Sequence, residues 1–258
     1  LFVGAGIISV GGKRAETLIS FFDAFAEVCY KIIAMIMKTA PIGVFCLLLP
    51  VVVMNGPKVL LPLLSVIICM LIGCTIHAVC VYSAMTTVAA HMSPVTFFRG
   101  MSEAMAIAFT TCSSAGTLPV NMKNVQEKLG VHRDIASFVL PLGATINMDG
   151  TALYMGVCSI FIANVFGVPL TFDQMMMIVL TGTLASIGTA GVPGAGLIML
   201  AMVLQSVGLP LEGLALVAGI DRVLDMFRTC LNITGDAAVA VVVNASEQEV
   251  PSDIQITE

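Results

Sequence analysis

Residues 110–119 read Thr-Thr-Cys-Ser-Ser-Ala-Gly-Thr-Leu-Pro, and residues 186–196 read Ser-Ile-Gly-Thr-Ala-Gly-Val-Pro-Gly-Ala-Gly. Both runs of small and hydroxylic residues stand inside apolar sequence. Neither continues as a lipid-facing helix, and backbone freed at membrane depth is tolerated only where protein or a water-filled cavity surrounds it. A short apolar helix (Phe97 to Phe109) leads into the first run, and a polar loop (Lys123 to Asp134) follows. An apolar helix from Ile135 then carries Gly143 to Thr151 in its middle and runs on from Ala152 to Phe166. A short apolar helix (174–185) leads into the second run, followed by apolar residues 197–207 and a final helix from about Gly219. A small-residue tip ending in proline thus precedes a polar-centred helix twice, first 113–119 with Asn147 and Asp149, then 186–193 with Asn232 and Asp236. Paired, Gly/Pro-interrupted hydrophobic segments in corresponding positions point to a secondary transporter built from inverted repeats.

The rest of the chain agrees with a polytopic membrane protein. Of 258 residues 58% are hydrophobic and only 10% charged, whereas soluble chains are about a quarter charged. Residues 59–98 hold no Asp, Glu, Lys or Arg, about twice the ~20 residues that span a bilayer. Eleven Lys plus Arg against sixteen Asp plus Glu leave no basic face, which excludes nucleic acid as a partner. The eight cysteines are scattered in apolar segments without a CxxC pair, so neither a disulfide framework nor a zinc site is expected. Tryptophan is absent, which leaves Tyr, Phe, Lys and Arg as interfacial anchors.

At the start, residues 1–10 are too short to span and end at Gly-Gly-Lys-Arg, as a truncated membrane helix with sequence missing upstream would. Residues 16–38 predict an amphipathic helix with Asp23, Glu27 and Lys31 on one face. After Pro41 an apolar run reaches Val53 and closes at Asn55-Gly56-Pro57. Residues 59–90 predict a long spanning helix, in which His77 has no partner visible in the sequence and is expected to be structural.

Chemistry concentrates on the last helix, Asp-Arg-Val-Leu-Asp-Met-Phe-Arg-Thr-Cys-Leu-Asn-Ile-Thr-Gly-Asp at 221–236. At helical spacing Asp221, Asp225, Arg228, Thr229, Asn232 and Asp236 share an arc of about 100°. Each Asp or Arg at mid-bilayer costs about 2.5–3.5 kcal/mol on insertion scales, so the stripe facing lipid would cost on the order of 10 kcal/mol. It must face a polar interior. An Asp225–Arg228 ion pair leaves Asp149 and Asp236 without a Lys or Arg in either helix centre. A carboxylate buried without a partner takes up a proton or binds a cation. Oxygen ligands of Asp, Asn and backbone suit an alkali cation rather than a transition metal. The planar fork of Arg228 suits a carboxylate, Asp225 suits an ammonium group, and hairpin tips offer N–H groups to an anion. Together these fit an acidic amino acid.

SSAGTLP (113–119), LPLGATINMDGTALY (140–154), SIGTAGVPGAG (186–196) and DMFRTCLNITGD (225–236) closely resemble the sodium/dicarboxylate symporter family that contains the glutamate transporters, with the nearest look to prokaryotic sodium–aspartate symporters. The resemblance runs from about residue 4 to 245. It implies an all-α polytopic fold with two re-entrant helical hairpins (94–122 and 174–207) and two interrupted helices in inverted repeat. Residues 1–56 would be a remnant of the scaffold and trimerisation domain, residues 57–245 the transport domain with its broken helix at 135–166 and last helix at 219–245, and residues 246–258 a polar tail. It further implies a multi-pass homotrimer of the cell membrane whose transport domains slide as elevators, carrying an acidic amino acid with sodium and using no organic cofactor. Residue by residue, the resemblance puts Ser113, Ser114, Thr151, Val192 and Gly196 at the substrate. Asp225 would hold the amino group, Arg228 the side-chain carboxylate, and Thr229 and Asn232 the main carboxylate. One sodium site would use Gly143, Asn147, Asn232 and Asp236. A second would use Thr145 with Ser186, Ile187 and Thr189, and a third Asn147 and Asp149 with a hydroxyl group from an earlier helix that the chain lacks.

Two departures stand out. Many prokaryotic relatives carry Arg where this chain has Cys112, and animal relatives carry a second Arg where it has Met226. Asp225 favours an amine-bearing substrate over a C4 dicarboxylate, and Arg228 an acidic one over serine. A proton-coupled glutamate/aspartate or C4-dicarboxylate symporter and an uncoupled anion channel are the alternative readings of the same residues. An intramembrane aspartyl protease is not expected, because neither YD nor GxGD occurs, and no enzyme activity is expected.

Overall fold

The computed structural model describes residues 2–56, 58 and 60–248, and every regular element among them is a helix. The chain forms two compact units, Leu1–Cys46 and Leu47–Glu258. The first contains α1 (Phe2–Val10), α2 (Gly12–Met37) and the start of α3 (Ala40–Asn55). α1 and α2 join at Gly11 and Gly12, whose φ of 58° and 60° lie in the left-handed region that glycine enters without strain. Asp23, Glu27 and Lys31 are all exposed along α2.

The second unit begins its described core with α4 (Leu60–Ile76), which continues through two π turns, His77–Tyr82 and Met85–Ala89, into one apolar helix of 30 residues. At 1.5 Å per residue it is about 45 Å long, enough for a hydrocarbon layer of about 30 Å. Then follow α5 (Pro94–Thr111), α6 (Ser114–Glu127), α7 (Arg133–Ile146), α8 (Asp149–Val165), α9 (Phe172–Ile187), α10 (Ala195–Ser206), α11 (Gly213–Ala218) and α12 (Asp221–Gln248). Leu60–Ala89, Arg133–Val165 and Asp221–Glu247 are long and apolar enough to cross a membrane.

α12 is the axis of this unit, with α4, α5, α6, α7 and α8 packed around it. Burial follows from that placement: 67% of its apolar window is buried against 17% for Leu60–Ala89. Phe97, Met101, Ala104 and Ala108 recur at spacings of four and three, which puts them on one buried face of α5. Ala237, Ala238 and Ala240 on α12 are fully buried, and side chains this small let helices approach closely where lipid supplies no hydrophobic drive. On α4, by contrast, Leu61, Leu64, Ile68 and Ile72 are exposed apolar side chains, a surface suited to hydrocarbon.

Two helix pairs, α5 with α6 and α9 with α10, each pack on themselves. Cys112 makes the first reversal, with φ 54° and ψ 36°, and its N–H donates to the Ala108 carbonyl at 2.9 Å. Ser113 then caps α6 by accepting from the Gly116 N–H at 3.0 Å. The second reversal, between α9 and α10, ends at Gly194 with φ 78°. α7 and α8 are one helix interrupted at Asn147 and Met148, whose backbone leaves the helical region. The last helix differs from expectation: α12 runs unbroken through its polar stripe, and the chain breaks before it, between α11 and Asp221. The reason is that its side chains carry the polar groups, so its backbone ladder stays intact. The expected polar tail lies outside the described residues from 249 onward, as does Pro57.

Candidate functional site

The two tips, the break between α7 and α8 and the polar stripe of α12 converge on one partly open cavity of about 10 Å³, space for about one water. Its walls include Ser114 from the first tip, Thr151 from α8, Val192 and Gly196 from the second tip, and Asp225, Arg228, Thr229 and Asn232 from α12. Ser113 is not a wall residue. Its hydroxyl donates to the Gly191 carbonyl at 3.0 Å, while the Ala115 N–H donates to the same carbonyl at 3.2 Å. The two tips are thereby latched together.

All six stripe residues are buried. The Arg228 guanidinium meets Asp225 Oδ1 at 2.9 Å through Nη2 and Asp221 Oδ1 at 3.1 Å through Nη1, and its Cζ lies 4.1 Å above the Tyr154 ring. Asp225 also accepts from the Gly194 N–H of the second tip at 3.0 Å and from the Thr229 hydroxyl at 3.3 Å. Two carboxylates, one guanidinium and an aromatic face therefore form a closed charge cluster within and beside α12. Gly196 lies against the guanidinium, so that a Cβ there would be 2.9 Å from Arg228 Cζ and would push the flexible side chain aside.

The interrupted helix has its freed groups met from α12. Asn232 Oδ1 accepts from the Gly150 N–H at 2.8 Å, one of the N–H groups that a helix start leaves unpaired. A Cβ at Gly150 would lie 2.6 Å from the Arg228 carbonyl oxygen, so only glycine allows this crossing. Asn147 Nδ2 donates to Asp236 Oδ1 at 3.1 Å and to the Asn232 carbonyl at 3.4 Å. Gly143 faces the same carboxylate, since its Cβ would fall 2.6 Å from Asp236 Oδ1. Gly143, Asn147, Asn232 and Asp236 are thus together, and Asp236 Oδ2 is buried with no hydrogen-bond donor among the described residues. A buried, unpartnered carboxylate oxygen beside carbonyl and amide groups is chemically a seat for a hard monovalent cation.

The remaining predicted residues are less gathered. Thr145 is exposed and its hydroxyl donates to Leu142 on its own helix. Ser186 and Thr189 are buried but spend their hydroxyls on Thr183 and Ala185, and Ile187 is exposed. Asp149 has partners that the sequence did not reveal. His77 Nε2 lies 3.2 Å from Asp149 Oδ2, and the Tyr82 hydroxyl donates to that oxygen at 2.7 Å. His77 therefore has a partner after all. A hydroxyl does reach Asp149, from Tyr82 of the 60–89 helix rather than from an earlier one. The only available signal was that both are polar residues within an otherwise apolar stretch.

A buried ion-pair cluster, an orphaned carboxylate and paired helix tips inside a bundle with helices long and apolar enough to span a bilayer define a helical membrane protein with a polar site in its interior. Residues 1–246 match the sodium:dicarboxylate symporter family, and the chain belongs to it. It is 38% identical over 252 residues to human excitatory amino acid transporter 2, covering 96% of this chain and 44% of that protein. It is 40% identical over 234 residues to an excitatory amino acid transporter of Caenorhabditis elegans (90% and 46%) and 40% identical over 233 residues to human excitatory amino acid transporter 1 (90% and 43%). The chain spans less than half the length of these relatives.

Proposed function

We propose that this chain carries the transport domain of a symporter that couples sodium entry to uptake of an acidic amino acid, aspartate or glutamate, across the plasma membrane. The observation that carries this reading is the placement of Arg228 and Asp225 on one wall of a cavity whose other walls are hydroxyls and tip backbone. Arg228 pairs with the substrate's side-chain carboxylate. Asp225 receives its ammonium group, and Thr229, Asn232 and the first tip receive the main carboxylate. Sodium is cargo, held at Asp236 with Gly143, Asn147 and Asn232, at Asp149 with Asn147, and at the second tip with Thr145, Ser186, Ile187 and Thr189. Residues 57–245 form the moving domain with α5–α6 and α9–α10 as re-entrant hairpins. Residues 1–56 belong to the scaffold of a homotrimer, against which the domain slides. The names of the relatives, excitatory amino acid transporters, support the substrate class.

An amino acid does not fit into about 10 Å³, so loading requires the second tip to lift. Lifting breaks the Gly194–Asp225 bond and the two bonds to the Gly191 carbonyl. At about 0.5–3 kcal/mol each net, their loss costs on the order of 4 kcal/mol and leaves the open form a minor state. Substrate replaces these contacts by offering its ammonium to Asp225. Sodium at Asp236 and the second tip fixes the groups that the tip closes upon. Linkage then requires each ligand to tighten the other by the same factor. Replacing Arg228 by Cys tests the assignment: aspartate affinity falls at least about a hundredfold and the preference over serine is lost. Unchanged affinity and preference would refute it.

A further inference from the structure

Arg222 stands outside the Arg228 ion pairs and has no carboxylate partner among the described residues. Its Nη2 donates instead to the carbonyls of Thr110 at 3.2 Å and Thr111 at 3.4 Å, the last two residues of α5. Its Nη1 is buried without a hydrogen-bond partner. The guanidinium is therefore held, half-buried, against the carbonyl end of a helix. That end carries a partial negative charge of about half an electron, and the next residue, Cys112, is a wall of the cavity. Cys112 is also held left-handed, which non-glycine side chains disfavour. After it come Ser113, which latches the second tip, and Ser114, another wall residue. Phe109 packs edge-on to Phe227, centroids 5.5 Å apart, and seats the same stretch of α5 on α12.

We propose that Arg222 is a positioning and specificity-determining residue for the acidic-substrate site. It clamps the first tip in its left-handed turn, and it cancels the negative helix end that otherwise faces a bound carboxylate. The role rests on the acidic amino acid reading above, but the clamp itself does not. Without Arg222 the unmet carbonyls repel anionic ligands more than neutral ones of the same shape. The first tip faces the substrate's main carboxylate, so aspartate loses affinity relative to isoasparagine, its neutral 1-amide, whereas a purely structural defect weakens both alike.

The test uses the intact protein, with Cys112 as its only cysteine, and compares Arg222→Met and Arg222→Lys. Without any ligand, the rate of Cys112 alkylation by a maleimide is measured. With sodium present, aspartate and isoasparagine affinities are measured by competition. Arg222→Met is expected to speed alkylation about tenfold and cut the aspartate-to-isoasparagine preference about tenfold. Arg222→Lys, which keeps the charge and a donor, is expected to stay close to the parent in both. If Arg222→Met does not fold, Arg222→Gln serves: it keeps a donor and loses the charge, so the preference falls while alkylation stays slow. An unchanged preference in the uncharged variant, or the same loss in Arg222→Lys, overturns the specificity role. Unchanged alkylation in Arg222→Met overturns the clamp. If the parent binds no aspartate, the substrate reading fails, and the alkylation result still decides the clamp.

Discussion

At the scale of single residues, the site is set by where charges are left without water. Arg228 is 2% exposed and satisfies Asp221 and Asp225 at once, so removing it strands two buried acids, a loss of about 3–5 kcal/mol in comparable buried pairs. A gentler perturbation separates binding from stability. Gly196→Ala places a methyl 2.9 Å from Arg228 Cζ and displaces the guanidinium by a few tenths of an ångström. We expect aspartate to bind about tenfold more weakly, with the thermal midpoint changed by only a few degrees, as calorimetry and binding on one preparation can check. Asp236 gives the second prediction. Asp236→Asn keeps shape and hydrogen bonding to Asn147 but removes the charge that its unpartnered Oδ2 presents. The slope of log affinity for aspartate against log sodium should fall by about one ion. An unchanged slope would exclude Asp236 as a sodium ligand.

At the scale of elements, the two tips and the α7–α8 break do most of the positioning. Cys112 reverses the chain in the left-handed region, where a β-branched side chain is strained by about 1–2 kcal/mol. Cys112→Val should therefore lower the thermal midpoint by several degrees, while Cys112→Gly should not. Gly235 on α12 is the crossing point for the cation groups, since a Cβ there meets Asn147 Nδ2 at 2.5 Å and the Tyr82 hydroxyl at 2.6 Å. Gly235→Ala should weaken sodium's effect on aspartate binding more than it weakens the fold, measured by the same titration beside a melting curve.

These elements also show what the sequence made legible. The α12 stripe could be projected because a continuous helix obeys its 100° step, and all six residues of the arc are buried. The tips were visible because small and hydroxylic residues are out of place among hydrocarbon side chains. What escaped was tertiary. His77 and Asp149 are 72 positions apart, and two π turns rotate the faces of the 60–89 helix away from a regular step. Arg222 escaped because its partners are main-chain carbonyls, which no residue pattern announces.

At the largest scale, the second unit surrounds its polar cluster with helices whose outer faces are apolar. α12 is buried at the centre, and Leu60–Ala89 lies at the apolar periphery. Such a body is suited to move as a unit through lipid with its cargo enclosed, the behaviour proposed for the intact homotrimer. Its eight cysteines are all free among the described residues, so reductant should leave both thermal midpoint and activity unchanged.

The central claim is that sodium and an acidic amino acid bind cooperatively at the α12 stripe. Aspartate binding by the intact protein, titrated in sodium and again in potassium or choline with succinate and serine as competitors, tests it most directly. The account predicts affinity that rises steeply with sodium and weak competition from both analogues. Binding indifferent to sodium that follows pH instead, or succinate preferred over aspartate, would contradict it.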